Sequence, residues 1–308
     1  MEESTAPRGT ARTMAGLGME KRRIGVIGLG LMGMAMSERL LQHGFDVRVW
    51  NRTRQKADPL LDLGASWSEN PLADCDRIII SLYTSDVVES VLARLMNEMQ
   101  VSPFVDKLRG KILIDTTTGS PEQSAAMCVH FASFGIHYLD APISGSSEQT
   151  RRGEAAVMVG GERSAFEACN DLWPMLGANV YHVGTSGSAA KMKLISNLVL
   201  GLNRAALAEA LVFAQSMGVD PVSALEVLRG SMAYSRVMDV KGQKMLDEDF
   251  SVQARLSQHL KDVRLILASG ATLPLTETHC QLLEQAEAMG LGELDNSAII
   301  KAIQQCQR

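Results

Sequence analysis

Over its first two thirds the chain alternates between short apolar runs and longer stretches with helical spacing. Ile24 to Ile27 is the first such run, suited to a parallel strand covered on both faces. Glycines follow at 28, 30 and 33, and a helical pattern then runs to Gly44, where a helix C-terminus favours glycine. DVRVW (46–50) predicts a second strand and completes a βαβ unit. Further strands are predicted at RIII (77–80), KILIDT (111–116), IHYLDAP (136–142) and AAVMVGG (155–161). Helical patterns separate most of them, so the expected class is α/β with a doubly wound sheet.

After Gly187 no strand signals remain. Residues 188–217 predict a single helix, roughly 45 Å long at 1.5 Å per residue. It stops at Gly218, and Asp220-Pro221 then supplies an N-cap followed by proline at the first helical position. Helical patterns continue to the end, with breaks near Gly230, Gly270 and Gly290. The expected organisation is a disordered tail (1–20), an α/β domain (21–185) and an all-α C-terminal domain (186–308) that opens with the long interdomain helix. That helix is apolar on more than one side, which points to a homodimer or homotetramer.

Composition narrows the function classes. Thirty Lys and Arg against 35 Asp and Glu give a net charge of −5, with no global electrostatic case for nucleic acid or an acidic membrane. The five cysteines are scattered, without a C-x-x-C pair, so neither a disulfide framework nor a metal site is expected, and the cytoplasm is the expected compartment. The apolar segment 194–214 contains Asn197, Asn203, Arg204 and Glu209, and so reads as a buried helix, not a membrane span.

Gly28-Leu29-Gly30-Leu31-Met32-Gly33 is a G-x-G-x-x-G loop between a strand and a helix. Gly28 permits a tight turn, Gly30 lets the backbone approach a pyrophosphate, and Gly33 lets the helix pack close to the strand. This context predicts a Rossmann-type dinucleotide-binding domain. The second strand ends in Asn51-Arg52-Thr53, without the carboxylate that would pair with the free 2′-hydroxyl of NAD. Its donors and positive charge suit a 2′-phosphate, so NADP(H) is preferred, with NAD(H) possible. The alternative is that Arg52 is an ordinary exposed arginine.

KMKLISN (191–197) places two lysines where the long helix begins. Lys193 and Asn197 are four apart and share a helix face. Lys191 lies about 200° around the helix from Lys193, so both cannot point into one pocket. Lys193 could donate a proton to a carbonyl oxygen as hydride arrives, with Asn197 orienting it. On spacing alone, a surface lysine at a helix start is the better reading of the pattern.

Taken with its other motifs, the chain resembles the β-hydroxyacid dehydrogenase (3-hydroxyisobutyrate dehydrogenase-like) family from about residue 22 to 303. The cofactor motif is IGVIGLGLMG, and the substrate motif appears as Asp140-Ala-Pro-Ile-Ser-Gly-Ser146. The catalytic segment appears as Gly184-Thr-Ser-Gly187 running on to Lys193 and Asn197, and the late K-D motif as Lys261-Asp262. SAIIKAI (297–303) also fits. The resemblance implies that Lys193 is the catalytic lysine and Lys191 a neighbour. It implies that Ser144, Gly145 and Ser146 hold the substrate acid group, in physical terms an anion nest. It further places Thr117 and Thr118 beside the nicotinamide, Leu82 and Tyr83 in a loop over the adenine ribose side, and Lys261 against the cofactor, with Asp262 behind it.

Two departures matter. Ala189 replaces the last glycine of the catalytic loop, which would be costly if that position needs a positive φ. Ala254, followed by Arg255, stands where relatives near the glyoxylate and succinic semialdehyde reductases often carry an aromatic, which implies a wider or more polar pocket. The expected function is NADP(H)-dependent interconversion of a small, carboxylate-bearing semialdehyde and its hydroxy acid. Tartronate semialdehyde (2-hydroxy-3-oxopropionate) and 3-hydroxyisobutyrate are alternative substrates. An imine reductase or a non-catalytic NADPH-binding protein are the rival classes, and Lys193 speaks against the first.

Overall fold

The computed structural model describes residues 23–100 and 108–306; the tail expected at 1–20 lies outside the described residues. The strands are β1 (Arg23–Ile27), β2 (Asp46–Trp50), β3 (Ser66–Trp67), β4 (Arg77–Ile80), β5 (Ile112–Asp115), β6 (His137–Asp140), β7 (Ile143–Ser144), β8 (Ala156–Gly160) and β9 (Asn179–Gly184). They form one sheet in the order β3-β2-β1-β4-β5-β6-β8-β7, with β9 also paired to β8. From β3 to β6 every pairing is parallel, in the 3-2-1-4-5-6 order of a doubly wound dinucleotide-binding sheet. β8 runs antiparallel to β6 and β7 and parallel to β9.

The unbroken apolar runs follow from burial on both faces. Ile24, Val26, Val49, Ile79 and Ile114 enter one core, while Ile27, Trp50, Ile78, Ile80 and Leu113 enter the core on the opposite face. Register then aligns the strand ends: Ile27 pairs with Trp50 and Ile80, Ile80 with Asp115, and Asp115 with Asp140. The loops after β1, β2, β4, β5 and β6 therefore leave along a single carboxyl edge, where ligands bind in such sheets.

The helices used below are α1 (Leu31–Gln42), α2 (Ser85–Gln100), α3 (Pro121–Ala132), α4 (Ser147–Arg152), α5 (Ser188–Ser216), α6 (Pro221–Arg229), α7 (Arg236–Leu246), α8 (Leu256–Leu267), α9 (Pro274–Ala286) and α10 (Ile299–Gln305). From Ser188 onward only helices follow among the described residues, around a third core that includes Leu207, Leu211, Leu260, Leu283 and Ile299. By length and composition α5 would suffice to cross a membrane; here it packs on β8 and β9 at its start and on α6 to α10 along its length. Sequence reading did not anticipate β3, β7 or β9. Two of these are two-residue strands, and β9 is a half-buried strand with polar residues interleaved.

Candidate active site

The glycine loop is built by close approach. Gly28 has φ +97°, and a Cβ there would collide with the Ser81 carbonyl; a Cβ on Gly33 would collide with the Gly28 carbonyl. A Cβ on Gly30 would meet nothing of the protein. Gly30 is also the N-cap of α1, with no side-chain cap and no acidic residue in the first turn. An uncapped helix start with open space before it is a cradle for an anion. Leu29 is buried, Leu31 exposed and Met32 half-buried, with Leu31 and Met32 on the cleft wall.

Asn51 is not free to reach out. Its Oδ1 accepts from the Leu29 N–H (3.0 Å) and its Nδ2 donates to the Thr53 carbonyl (2.9 Å), so it ties the end of β2 to the glycine loop. Arg52 and Thr53 are exposed beyond it. In the next loop the Leu82 N–H donates to Thr117 Oγ1 (3.1 Å), and Tyr83 is half exposed. Lys261, on α8, donates to the carbonyls of Tyr83 (3.0 Å) and Thr118 (2.7 Å) and pairs with Asp262 (3.1 Å). It thus bridges the helical domain to two loops of the sheet's carboxyl edge.

A cavity of about 610 Å³ runs from this edge into the helical domain. Lys193, Asn197 and Ser196 line it from α5, opposite Ser144, Gly145 and Ser146. Helix geometry separates the two lysines as expected: Lys191 is exposed and Lys193 buried. Burial lowers the Lys193 ammonium to about 8; Asp262 opposes that shift and Lys261 adds to it. Among the described residues Lys193 Nζ has no hydrogen-bond partner of its own. Asn197 Nδ2 donates to Asp262 Oδ2 (2.9 Å), so Asn197 is held by that carboxylate, not by Lys193. Burial in turn raises the Asp262 carboxyl, against the pull of Lys261 and Lys193.

The Ser144-Gly145-Ser146 turn divides its labour. Ser144 Oγ lies 3.3 Å from Ser196 Oγ, facing α5. At Gly145 a Cβ would come within 2.9 Å of the Ala155 Cβ, so the turn lies close on β8. Ser146 caps α4 in a reciprocal box: its hydroxyl accepts from the Gln149 N–H (3.2 Å) and its N–H donates to Gln149 Oε1 (2.9 Å). Both of those groups are therefore committed, and Ser144 and Gly145 are the part of the turn left for a ligand.

Sequence reasoning gave no role to Asp140 and none to Arg204 beyond its polarity. Asp140 reaches from β6 to the start of α5, accepting from the N–H groups of Gly187 and Ala190 (both 2.9 Å). It caps from a distance the helix that carries Lys193, whose own N-cap, Gly187, offers no side chain. Its place at the head of the substrate motif was visible; its partners depend on the tertiary fold. Ala189 lies within α5, outside the positive-φ positions, so replacing glycine there introduces no backbone strain. Ala254 lines the cavity, and its N–H donates to Asp295 (3.1 Å).

This arrangement agrees with the chain's likenesses. Residues 23–184 match the family model described as the NAD binding domain of 6-phosphogluconate dehydrogenase. Residues 187–303 match the one described as NAD-binding of NADP-dependent 3-hydroxyisobutyrate dehydrogenase. The chain is 33% identical over 289 residues to 2-hydroxy-3-oxopropionate reductase of Escherichia coli (strain K12), covering 92% of this chain and 97% of the relative. The chain belongs to the β-hydroxyacid dehydrogenase family. It is 32% identical over 285 residues to glyoxylate/succinic semialdehyde reductase 1 of Arabidopsis thaliana (91% and 98% covered). Among solved structures, Psf3 in complex with NADP+ and 2-OPP superposes with a TM-score of 0.81 at 26% identity, covering 91% of this chain and 99% of that one. As a β-hydroxyacid dehydrogenase, the protein is an NAD(P)-dependent oxidoreductase of hydroxy acids and their semialdehydes.

Proposed function

We propose that the protein reduces a small semialdehyde acid to its hydroxy acid with NADPH, and that Lys193 is the general acid. One observation carries this reading: a buried lysine, without a hydrogen-bond partner among the described residues and lowered to about 8, faces the Ser144–Gly145 turn across the cavity. The open cradle at Gly30 fits a pyrophosphate, and Arg52, exposed after β2, fits a 2′-phosphate. A dinucleotide held by these residues would supply the hydride from its nicotinamide. Ser144 and the Gly145 backbone hold the substrate carboxylate and so orient its carbonyl. Lys193 gives its proton to the carbonyl oxygen as the carbon is reduced, and the resulting neutral amine is reprotonated from solvent through the open cavity. Asn197, held by Asp262, keeps that face of α5 polar beside the reacting oxygen.

The test is loss of nicotinamide absorbance with glyoxylate and with the succinic, tartronic and methylmalonic semialdehydes, using NADPH and NADH in parallel. Turnover on one of these acids should fall about 10²- to 10⁴-fold in Lys193→Ala, the usual range for a general acid. Arg52→Ala should reduce the NADPH over NADH preference about tenfold or more. Unchanged turnover in Lys193→Ala would remove the lysine from the chemistry. Silence on every acid with NADPH bound would reject the reductase reading.

A further inference from the structure

The cavity continues past Lys193. Along the same face of α5 come Asn197, Gly201 and Arg204, at i+4, i+8 and i+11. Arg204 is 3% exposed and lines the cavity, yet its Nε and Nη1 are buried without a hydrogen-bond partner among the described residues. Asp295, the carboxylate that acts on it electrostatically, is already committed. It accepts from Lys241 Nζ (2.8 and 2.9 Å), from the N–H groups of Gln253 (3.0 Å) and Ala254 (3.1 Å), and from Ser297 Oγ (2.8 Å). The neighbouring imidazoles of His259 and His279, with centroids 5.3 Å apart, are lowered by burial and by the Arg204 charge; an imidazole is neutral or cationic, so neither ring supplies a counter-charge.

The charged lining of the cavity leans the same way. It comprises the cations Lys193, Arg204, Arg236, Lys241 and Arg255 against the carboxylates Glu154 and Asp262; of the cations, Lys241 is paired with Asp295 (2.8 Å) and Arg255 with Glu293 (3.1 Å). Glu154 is paired with Arg152 (3.0 Å), and Asp262 with Lys261 and Asn197. Asn296 also lines the cavity, and its buried Oδ1 lacks a hydrogen-bond partner among the described residues. A buried guanidinium without a counter-ion is costly, and an unrelated apolar side chain would serve packing better. It makes sense where a ligand brings the charge.

We propose that Arg204 is a second anion subsite, and that the substrate is a doubly acidic semialdehyde. Its first carboxylate sits at Ser144–Gly145, its carbonyl at Lys193, and its distal carboxylate on the Arg204 fork. This deepens the reductase reading and rests on it. Lys193 and Arg204 are about 16 Å apart at Cα along the helix axis. Even with both side chains reaching inward, the distal acid is several bonds from the carbonyl. Ala254, with only a methyl group on the cavity wall, leaves room for such a chain.

The experiment compares oxidation of 3-hydroxy-2-methylpropanoate (one acid) with that of 2-(hydroxymethyl)pentanedioate (two acids) by the NADP+-loaded enzyme. Calorimetry with butyrate and glutarate runs beside it. Wild type should favour the diacid in kcat/KM, and bind glutarate over butyrate, by about tenfold or more, the worth of a charge-assisted hydrogen bond. Arg204→Met should lower both ratios at least tenfold, through KM and affinity, and Arg204→Lys should restore part of them. Equal kcat/KM for the two acids in wild type, with turnover still dependent on Lys193, would overturn the subsite and leave the reductase reading standing. So would a diacid preference unchanged in folded Arg204→Met. With no turnover on either acid, glutarate binding sensitive to Arg204 would still support the subsite, and its absence would reject it.

Discussion

At the scale of single residues, the site's chemistry turns on what surrounds Lys193. Burial favours its neutral form, Asp262 favours the charged one, and Lys261 again the neutral one; the balance is about 8. A general acid must be protonated, so kcat/KM for aldehyde reduction should hold level below about pH 8 and fall about tenfold per unit above it. The reverse oxidation needs the neutral amine and should rise with pH up to the same inflection. Asp262→Asn removes the group that raises the lysine, so the inflection should move to lower pH. Pre-steady-state hydride transfer across pH 6–10 would check this; an inflection that ignores Asp262→Asn would assign it to another group. Much of this was legible in the sequence, because i,i+4 geometry alone put Lys193 with Asn197 and set Lys191 apart. What stayed hidden was pairing across the fold: that Asn197 answers to Asp262, that Ser146 is spent on capping α4, and that Arg204 Nε and Nη1 have no hydrogen-bond partner among the described residues.

At the scale of elements, the legible parts are those with strong periodicity and punctuation. The four- and five-residue apolar strands announce themselves because the sheet is buried on both faces, and α5 runs Ser188–Ser216 where residues 188–217 predicted one helix. β3, β7 and β9 gave no such signal: they are short or half-buried, and their pairing is decided by neighbours far along the chain. The junction between sheet and helix is likewise tertiary. Asp140 satisfies two N–H groups at the start of α5, whose N-cap, Gly187, has no side chain to offer. Hydrogen bonds to a buried carboxylate are each worth about 1.5–3 kcal/mol. Asp140→Ala should therefore cost about 3 kcal/mol in denaturant unfolding, and Asp140→Asn, which keeps one acceptor oxygen, about half as much. Because this cap sets where Lys193 begins its turn, kcat should fall in both. A stability loss under about 0.5 kcal/mol in Asp140→Ala would show that the helix start is held by other means.

At the scale of the whole molecule, α5 has a second face to account for. Its buried stripe, from Lys193 through Asn197 and Arg204 to Leu211, faces the cavity and the helical core. On the other side Met192, Ile195, Val199 and Phe213 are 41–58% exposed, at helical spacing along most of its length. Large apolar side chains aligned in this way on a soluble surface mark an association site. We propose that a second copy of the chain covers this face, giving a homodimer or homotetramer in which α5 is shared between the cavity on one side and the interface on the other. The chain mass is 33.4 kDa, so light scattering on the purified protein should return two or four times that value. A double Ile195→Glu and Phe213→Glu variant should shift the population toward single chains. Ile195 lies only two residues from Lys193 and Asn197, so loosening the interface should also lower kcat while NADPH binding at the distant glycine loop persists. A wild-type protein that scatters as one chain at micromolar concentration would leave the apolar stripe unexplained and remove the shared-helix idea.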